Sequence, residues 1–78
     1  MHEWLDQARA RLADAVGAPP GDYDLTQDEI DALLELARVA AHESGERTNA
    51  PLLCYLAGLA RGRQGGELAR IVDAAAGR

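Results

Sequence analysis

The chain has 78 residues, of which 47% are hydrophobic and 27% charged, and its net charge at pH 7 is −5. This length predicts one domain spanning residues 1–78, and the balance of residue types is that of a globular protein rather than a disordered tail. The acidic charge argues against binding to nucleic acid, because phosphates select for clustered basic side chains.

Residues 3–16 are predicted to form an amphipathic helix, because their apolar side chains recur at helical spacing. The apolar stripe comprises Trp4, Leu5, Ala8, Leu12, Ala15 and Val16. Trp4 is the largest apolar side chain, so we expect it to anchor this helix to the other helices, and truncating it to alanine should cost about 3 kcal/mol. Pro19 and Pro20 then break the helix, since proline lacks the amide hydrogen that a helix requires.

A second helix is predicted to begin at Thr26, because Thr26 and Glu29 have the Thr-x-x-Glu spacing of a capping box. Gly45 is expected to end it as a C-cap. The apolar side chains between these positions cover more than half of the helix circumference, which indicates that this helix is the central one.

Pro51 suits the first turn of a third helix, where its missing amide hydrogen has no cost. The glycines expected to end that helix are Gly62, Gly65 and Gly66. A short fourth helix is predicted from about Glu67. No segment alternates as a strand does. The predicted fold is therefore all-α, a compact four-helix domain with three main helices and a short C-terminal helix.

The polar side of the second helix is a candidate surface for a protein partner. Arg38 can bind a carboxylate in a bidentate manner, Glu35 offers a complementary acceptor, and His42 adds a charge that depends on pH. Arg47, just beyond the helix, could extend this surface. The alternative is that these side chains only solvate the helix. Their spacing supplies neither a metal-ligand set nor a catalytic arrangement, so we expect no enzyme activity, cofactor or metal.

Small residues recur along the third helix at intervals of four, at Ala50, Cys54, Gly58 and Gly62. Glycine inside a helix costs about 1 kcal/mol relative to alanine, which suggests that another backbone approaches Gly58 closely. The stripe therefore predicts a close-packing seam within the domain. The alternatives are a surface for self-association or for a partner and, least favoured, a ligand pocket. Self-association would make the chain a homodimer and a purely structural homo-oligomerisation module. On this interpretation Gly58→Leu would overpack the seam.

The segment between the third and fourth helices offers an alternative function. Arg61 and Arg63, with Gly65 and Gly66 before a helix N-terminus, could bind the phosphate of a small phosphorylated cofactor. Capping of the third helix by glycine is the ordinary explanation of the same residues.

The expected location is the cytoplasm. No apolar stretch approaches the roughly 20 residues of a membrane span, and the opening residues Met1-His2-Glu3-Trp4 lack the pattern of an export signal. Cys54 is the single cysteine and permits no internal disulfide, as is usual in a reducing compartment.

Three segments resemble a known family of bacterial domains: residues 3–5, the helical run 33–42 and, most specifically, residues 47–62. The last segment is similar to the family's Arg-x-x-Ala-Pro-Leu-x-x-(aromatic)-Leu-Ala-Gly-Leu-Ala-x-Gly pattern. This family consists of functionally uncharacterised helical domains from high-GC bacteria, found alone or associated with molybdenum cofactor guanylyltransferases. The resemblance implies an accessory, non-enzymatic role beside the biosynthesis of the molybdenum cofactor (molybdopterin guanine dinucleotide), and it carries over no catalytic residue.

Overall fold

The structure, a computed structural model, describes residues 3–78 and is all-α in that range. The helices are α1 (Glu3–Ala15), α2 (Gln27–Ser44), α3 (Asn49–Gln64) and α4 (Leu68–Ala75), with a short 3-10 helix, η1 (Pro20–Tyr23), between α1 and α2. The predicted four-helix fold is confirmed. Within the described residues, no helix is long and apolar enough to cross a membrane. Met1 and His2, two of the four opening residues compared with an export signal, lie outside the described residues.

Local interactions fix both ends of α2 as the sequence predicts. The hydroxyl of Thr26 accepts the backbone N–H of Glu29 over 3.1 Å, and Glu29 Oε1 accepts the backbone N–H of Thr26 over 2.8 Å. These two bonds satisfy amide groups that a helix N-terminus leaves free. At the other end, Gly45 adopts a left-handed conformation with φ of 73°, which suits glycine because it has no Cβ.

The core lies among α2, α3 and α4, which pack against one another in all three pairs. Its centre is Leu36 of α2, whose exposed fraction is 0%. Ala57 of α3 and the α4 residues Leu68 and Val72 surround it. Ala57 is small, so α3 can pack close to α2. The branched side chains of Leu68 and Val72 fill the core from α4. The prediction that α2 is the central helix is therefore confirmed.

The predicted anchoring of α1 by Trp4 is wrong, because Trp4 is 75% exposed. No Cα atom of α1, which is described in full, comes within 8 Å of a Cα atom of α2, α3 or α4. Instead α1 packs against η1 on the side of Ala13, which is buried and whose carbonyl accepts the N–H of Ala18 over 2.9 Å. A 3.2 Å salt bridge from Arg9 to Asp24 holds the same side. The turn through the two prolines thus leaves the apolar stripe of α1 facing solvent.

Candidate functional site

The polar side of α2 carries a three-residue ion cluster. Arg38 donates to both carboxylate oxygens of Glu35, over 2.9 Å from Nε and 2.7 Å from Nη2. Arg78 donates from Nη2 to Glu35 Oε2 over 3.0 Å. One carboxylate therefore orients two guanidinium groups, and the cluster retains one positive charge. Both arginines stay about half exposed, so N–H groups remain accessible to a further acceptor.

The pairing of Glu35 with its neighbours shifts the pKa of Glu35 and that of Arg38. Hydrogen bonds from Arg38 first, and then from Arg78, lower the pKa of Glu35 to about 2. The hydrogen bonds from Glu35 and its charge in turn raise the pKa of Arg38. Glu35 and Arg38 are consequently charged throughout the neutral range, and their pairing is a fixed electrostatic feature rather than a pH switch.

The other two residues of the predicted partner surface do not join this cluster. His42 and Arg47 are both exposed, and within the described residues neither forms a salt bridge or side-chain hydrogen bond to Glu35 or Arg38. The structure therefore brings together Glu35 and Arg38, leaves His42 and Arg47 in solvent, and adds Arg78. No local spacing could have indicated Arg78, because it lies 43 positions from Glu35 in the sequence.

An open apolar groove of about 570 Å³ lies where the C-terminal parts of α2 and α4 meet the N-terminal half of α3. Its apolar lining comprises Val39, Ala40, Leu52, Leu53, Leu56, Ala75 and Ala76. Leu52 and Leu56, one turn apart on α3, are 61% and 55% exposed. Glu43, Ser44 and Asn49 supply the polar part of the lining. We refer to this surface as the α3 groove.

The prediction of a close-packing seam within the domain is wrong at Gly58 and Gly62. A Cβ atom added to either glycine would meet nothing within 4 Å. These two glycines and Cys54 instead line a second cavity, of about 550 Å³, whose lining also includes Tyr23 of η1 and Leu25 just before α2. Only Cys54 packs against the core, and its thiol lies 3.7 Å from the carbonyl of Leu33. Burial raises the pKa of this thiol, which makes it a poor nucleophile. The fourth member, Ala50, lies at the start of α3 and does not line this cavity. Contact between copies along this stripe remains a prediction.

The anion site suggested for the segment 61–66 has unfavourable surroundings. Arg61 donates to Glu29 Oε2 over 2.9 Å and so is already paired with a carboxylate. The residue at the N-terminal cap of α4 is Glu67, whose negative charge opposes an anion at that helix end. Gly65 caps α3, with its amide donating to the carbonyl of Arg61 over 2.8 Å, while Arg63 and Gly66 are exposed. Gly65 therefore performs the capping role that is the ordinary explanation of this segment.

The side chains of residues 3–78 include no group of three or more His, Cys, Asp or Glu residues placed to hold a metal ion.

The sequence profile of a family described as Domain of unknown function (DUF6457) matches residues 1–78. The chain belongs to the DUF6457 family. The expected membership in an uncharacterised domain family is thus confirmed. Neither the curated proteins nor the solved structures contain a significant match to this DUF6457 domain.

The DUF6457 domain also exposes a surface whose apolar spacing predicts burial against the other helices. Four residues of the predicted apolar stripe are exposed, Trp4 at 75%, Leu5 at 38%, Leu12 at 52% and Val16 at 58%. Their amphipathic spacing did indicate that something covers them. It could not indicate that α2, α3 and α4 leave these side chains exposed.

Proposed function

We propose that this domain is a non-enzymatic protein-interaction module of the cytoplasm. The observation that carries the proposal is the amount of surface left uncovered. The solvent-accessible area is 5763 Å², whereas a folded monomer of 8.3 kDa is expected to expose about 4,600 Å². The exposed area is thus about 1,200 Å² larger than expected. Large apolar side chains of α1 and of α3 are among the exposed residues, and exposed apolar patches mark sites of protein association.

The ion cluster on α2 supports a second, polar element of the interaction surface. Glu35 neutralises one of its two arginines, so the three-residue cluster carries one net positive charge on an acidic domain, with the carboxylate of Glu43 also acting on Arg38. Planar guanidinium groups held in place by a carboxylate lose little freedom when they bind another carboxylate. We propose that an acidic side chain of a partner protein binds there, with Arg47 extending the contact.

The resemblance of residues 47–62 to domains associated with molybdenum cofactor guanylyltransferases supports one identity for this partner. We propose that the domain is an accessory to such an enzyme, in the biosynthesis of the molybdenum cofactor. On this proposal the domain supplies a binding surface, and the guanylyltransferase supplies the chemistry. The rival proposal, a small binder of a phosphorylated cofactor, has less support because Arg61 is paired with Glu29.

Calorimetric titration of the domain with a purified guanylyltransferase from the same genome tests the proposal. The parent chain should bind, and the double variant Arg38→Ala, Arg47→Ala should lose at least about tenfold in affinity, the loss expected for a charge-assisted contact. Arg70→Ala is the matched control, because Arg70 is an exposed arginine on α4 and lies outside the cluster. Absence of binding by the parent chain, or equal losses in the double variant and the control, would refute the proposed partner surface.

A further inference from the structure

We propose that a second copy of this chain covers the α3 groove, each copy inserting the apolar stripe of its own α1 into the groove of the other. This inference deepens the proposed function, on which it rests, by naming one partner of the interaction module. The stripe consists of Trp4, Leu5, Leu12 and Val16, which the packing of α1 on η1 leaves uncovered.

The two surfaces match in character and in form. The stripe is convex and runs along one side of α1, and Trp4 and Val16 are about 18 Å apart at the rise of an α-helix. The α3 groove is concave and apolar, with Leu52 and Leu56 along its α3 side. An amphipathic helix laid into an apolar groove is a recurrent mode of protein recognition.

Charges at the edges of the two surfaces are complementary. Arg11 lies two helical turns after Trp4, so it flanks the stripe, and it is exposed. Glu43 lines the polar part of the α3 groove and is exposed as well. An apolar helix bordered by an arginine therefore meets an apolar groove bordered by a glutamate.

The helix of the same chain does not cover this groove. The Arg9–Asp24 salt bridge and the burial of Ala13 fix α1 against η1, away from α2, α3 and α4. A second copy offers both a stripe for the groove of the first copy and a groove for its stripe. A two-fold dimer therefore buries both stripes and both grooves at once.

The area available agrees with what a stable dimer needs. A standard interface buries about 800 Å² on each partner, and the surplus surface of this chain is about 1,200 Å² relative to a typical monomer. Reciprocal docking would bring each copy close to the exposure of an ordinary folded chain. It would also add apolar burial to a chain of 78 residues, a length at which one core gives marginal stability.

Two substitutions that introduce a positive charge test the interface, one on each of its two surfaces. Leu12→Arg places a cation in the stripe and Leu56→Arg places one in the groove. Both side chains are more than half exposed in the chain, so the fold should persist, as circular dichroism can verify. Each substitution occurs twice in a symmetric dimer, and its effect on the free energy doubles. We expect each to raise the dimer dissociation constant at least about 100-fold in sedimentation equilibrium.

Leu34→Arg is the matched control, because Leu34 is 63% exposed but belongs to neither surface. The parent chain and the control should sediment at twice the chain mass of 8.3 kDa. A parent chain that stays monomeric up to about 1 mM, the weak end of measurable association, would overturn the proposal. Equal weakening by the control would overturn it too.

Mixing the two variants distinguishes reciprocal docking from other dimers. An equimolar mixture of Leu12→Arg and Leu56→Arg should form dimers that neither variant forms alone, because one intact stripe then meets one intact groove. A dimer built from α1 against α1 would respond to Leu12→Arg alone, and a dimer of groove against groove to Leu56→Arg alone. Failure of the mixture to associate would overturn the proposal.

The outcome for self-association is separable from the outcome for the proposed enzyme partner. Titration of the guanylyltransferase tests Arg38 and Arg47, which lie outside both docking surfaces. If the parent chain binds the enzyme but stays monomeric on its own up to about 1 mM, the dimer is refuted and the proposed function stands. If the chain dimerises through α1 and ignores the enzyme, the proposed enzyme partner is refuted and the dimer stands.

Discussion

Arg61 of α3 donates a hydrogen bond to Glu29 Oε2 over 2.9 Å, while Glu29 Oε1 accepts the backbone N–H of Thr26. The carboxylate of Glu29 therefore takes part in capping the N-terminus of α2 and also links that end of α2 to α3 through Arg61. The bond from the Thr26 backbone is the main cause of the lowered pKa of Glu29, and the bond from Arg61 is the next. The capping box thus serves tertiary packing as well as the start of a helix.

Replacing the capping hydroxyl should destabilise the domain measurably. We expect Thr26→Ala to lower the free energy of unfolding by about 1 kcal/mol, because the N–H of Glu29 loses its acceptor. Thr48→Ala is the control, since Thr48 occupies the same position before α3 but its side chain makes no capping hydrogen bond. Urea unfolding followed by circular dichroism, at one protein concentration for all chains, measures both. Equal losses in the two variants would contradict the role given to the Thr26 hydroxyl.

The ion cluster on α2 predicts a dependence of stability on acid. Glu35 has a pKa of about 2 in the folded chain, below its ordinary value of 4.5. Its ionised form is therefore favoured by folding, and this contribution is complete above pH 4.5 and disappears as the pH falls towards 2. Thermal melts across that range should show a smaller loss of stability for Glu35→Gln than for the parent chain. Glu46→Gln, which removes an exposed carboxylate outside the cluster, should follow the parent.

Two leucines of α2 separate core packing from surface. Leu36 is fully buried and Leu34 is 63% exposed. We expect Leu36→Ala to cost about 2 to 5 kcal/mol, because it opens a cavity at the centre of the core. We expect Leu34→Ala to change stability by no more than about 0.5 kcal/mol, as surface substitutions usually do. Chemical unfolding of both variants provides the test, and comparable losses would show that the core lies elsewhere.

The open space beside Gly58 reverses the expectation drawn from the sequence. A Cβ there meets nothing within 4 Å, and Gly58 is inside α3. Gly58→Ala should therefore stabilise the domain, by about 0.5 to 1 kcal/mol, since alanine favours the helix more than glycine does. Gly65→Ala should instead destabilise it, because Gly65 has φ of +75°, where a Cβ is strained. Melting temperatures of the two variants should move in opposite directions. A lower melting temperature for Gly58→Ala would instead support the close-packing seam predicted from the sequence.

Helix ends were predictable from the sequence because their causes are local. Each helix end depends on residues only a few positions apart. Examples are the capping box of Thr26 and Glu29, the C-cap at Gly45 and the proline in the first turn of α3. The amphipathic spacing also located the apolar side of α1. Whether the other helices cover that side depends on the direction in which the chain leaves the turn at the two prolines, and no local pattern determines that direction.

The candidate site was predictable only in part, for the same physical reason. Glu35 and Arg38 are one helical turn apart, so their pairing follows from helix geometry. Arg78 reaches Glu35 because α4 packs against α2, and Arg61 reaches Glu29 because α3 does. Such pairs require the tertiary arrangement of the helices, which the sequence of one chain does not display.

The emission of Trp4 tests most directly the central claim that a second copy covers the stripe of α1. Trp4 is the single tryptophan of the chain and is 75% exposed in one copy. Its emission wavelength therefore shows whether a second copy shields its side chain from water. We predict that the emission maximum shifts to shorter wavelength as protein concentration rises, and that Leu56→Arg abolishes this shift although residue 56 lies on α3. A maximum that is independent of concentration in the parent chain, or a shift that Leu56→Arg leaves unchanged, would contradict the claim.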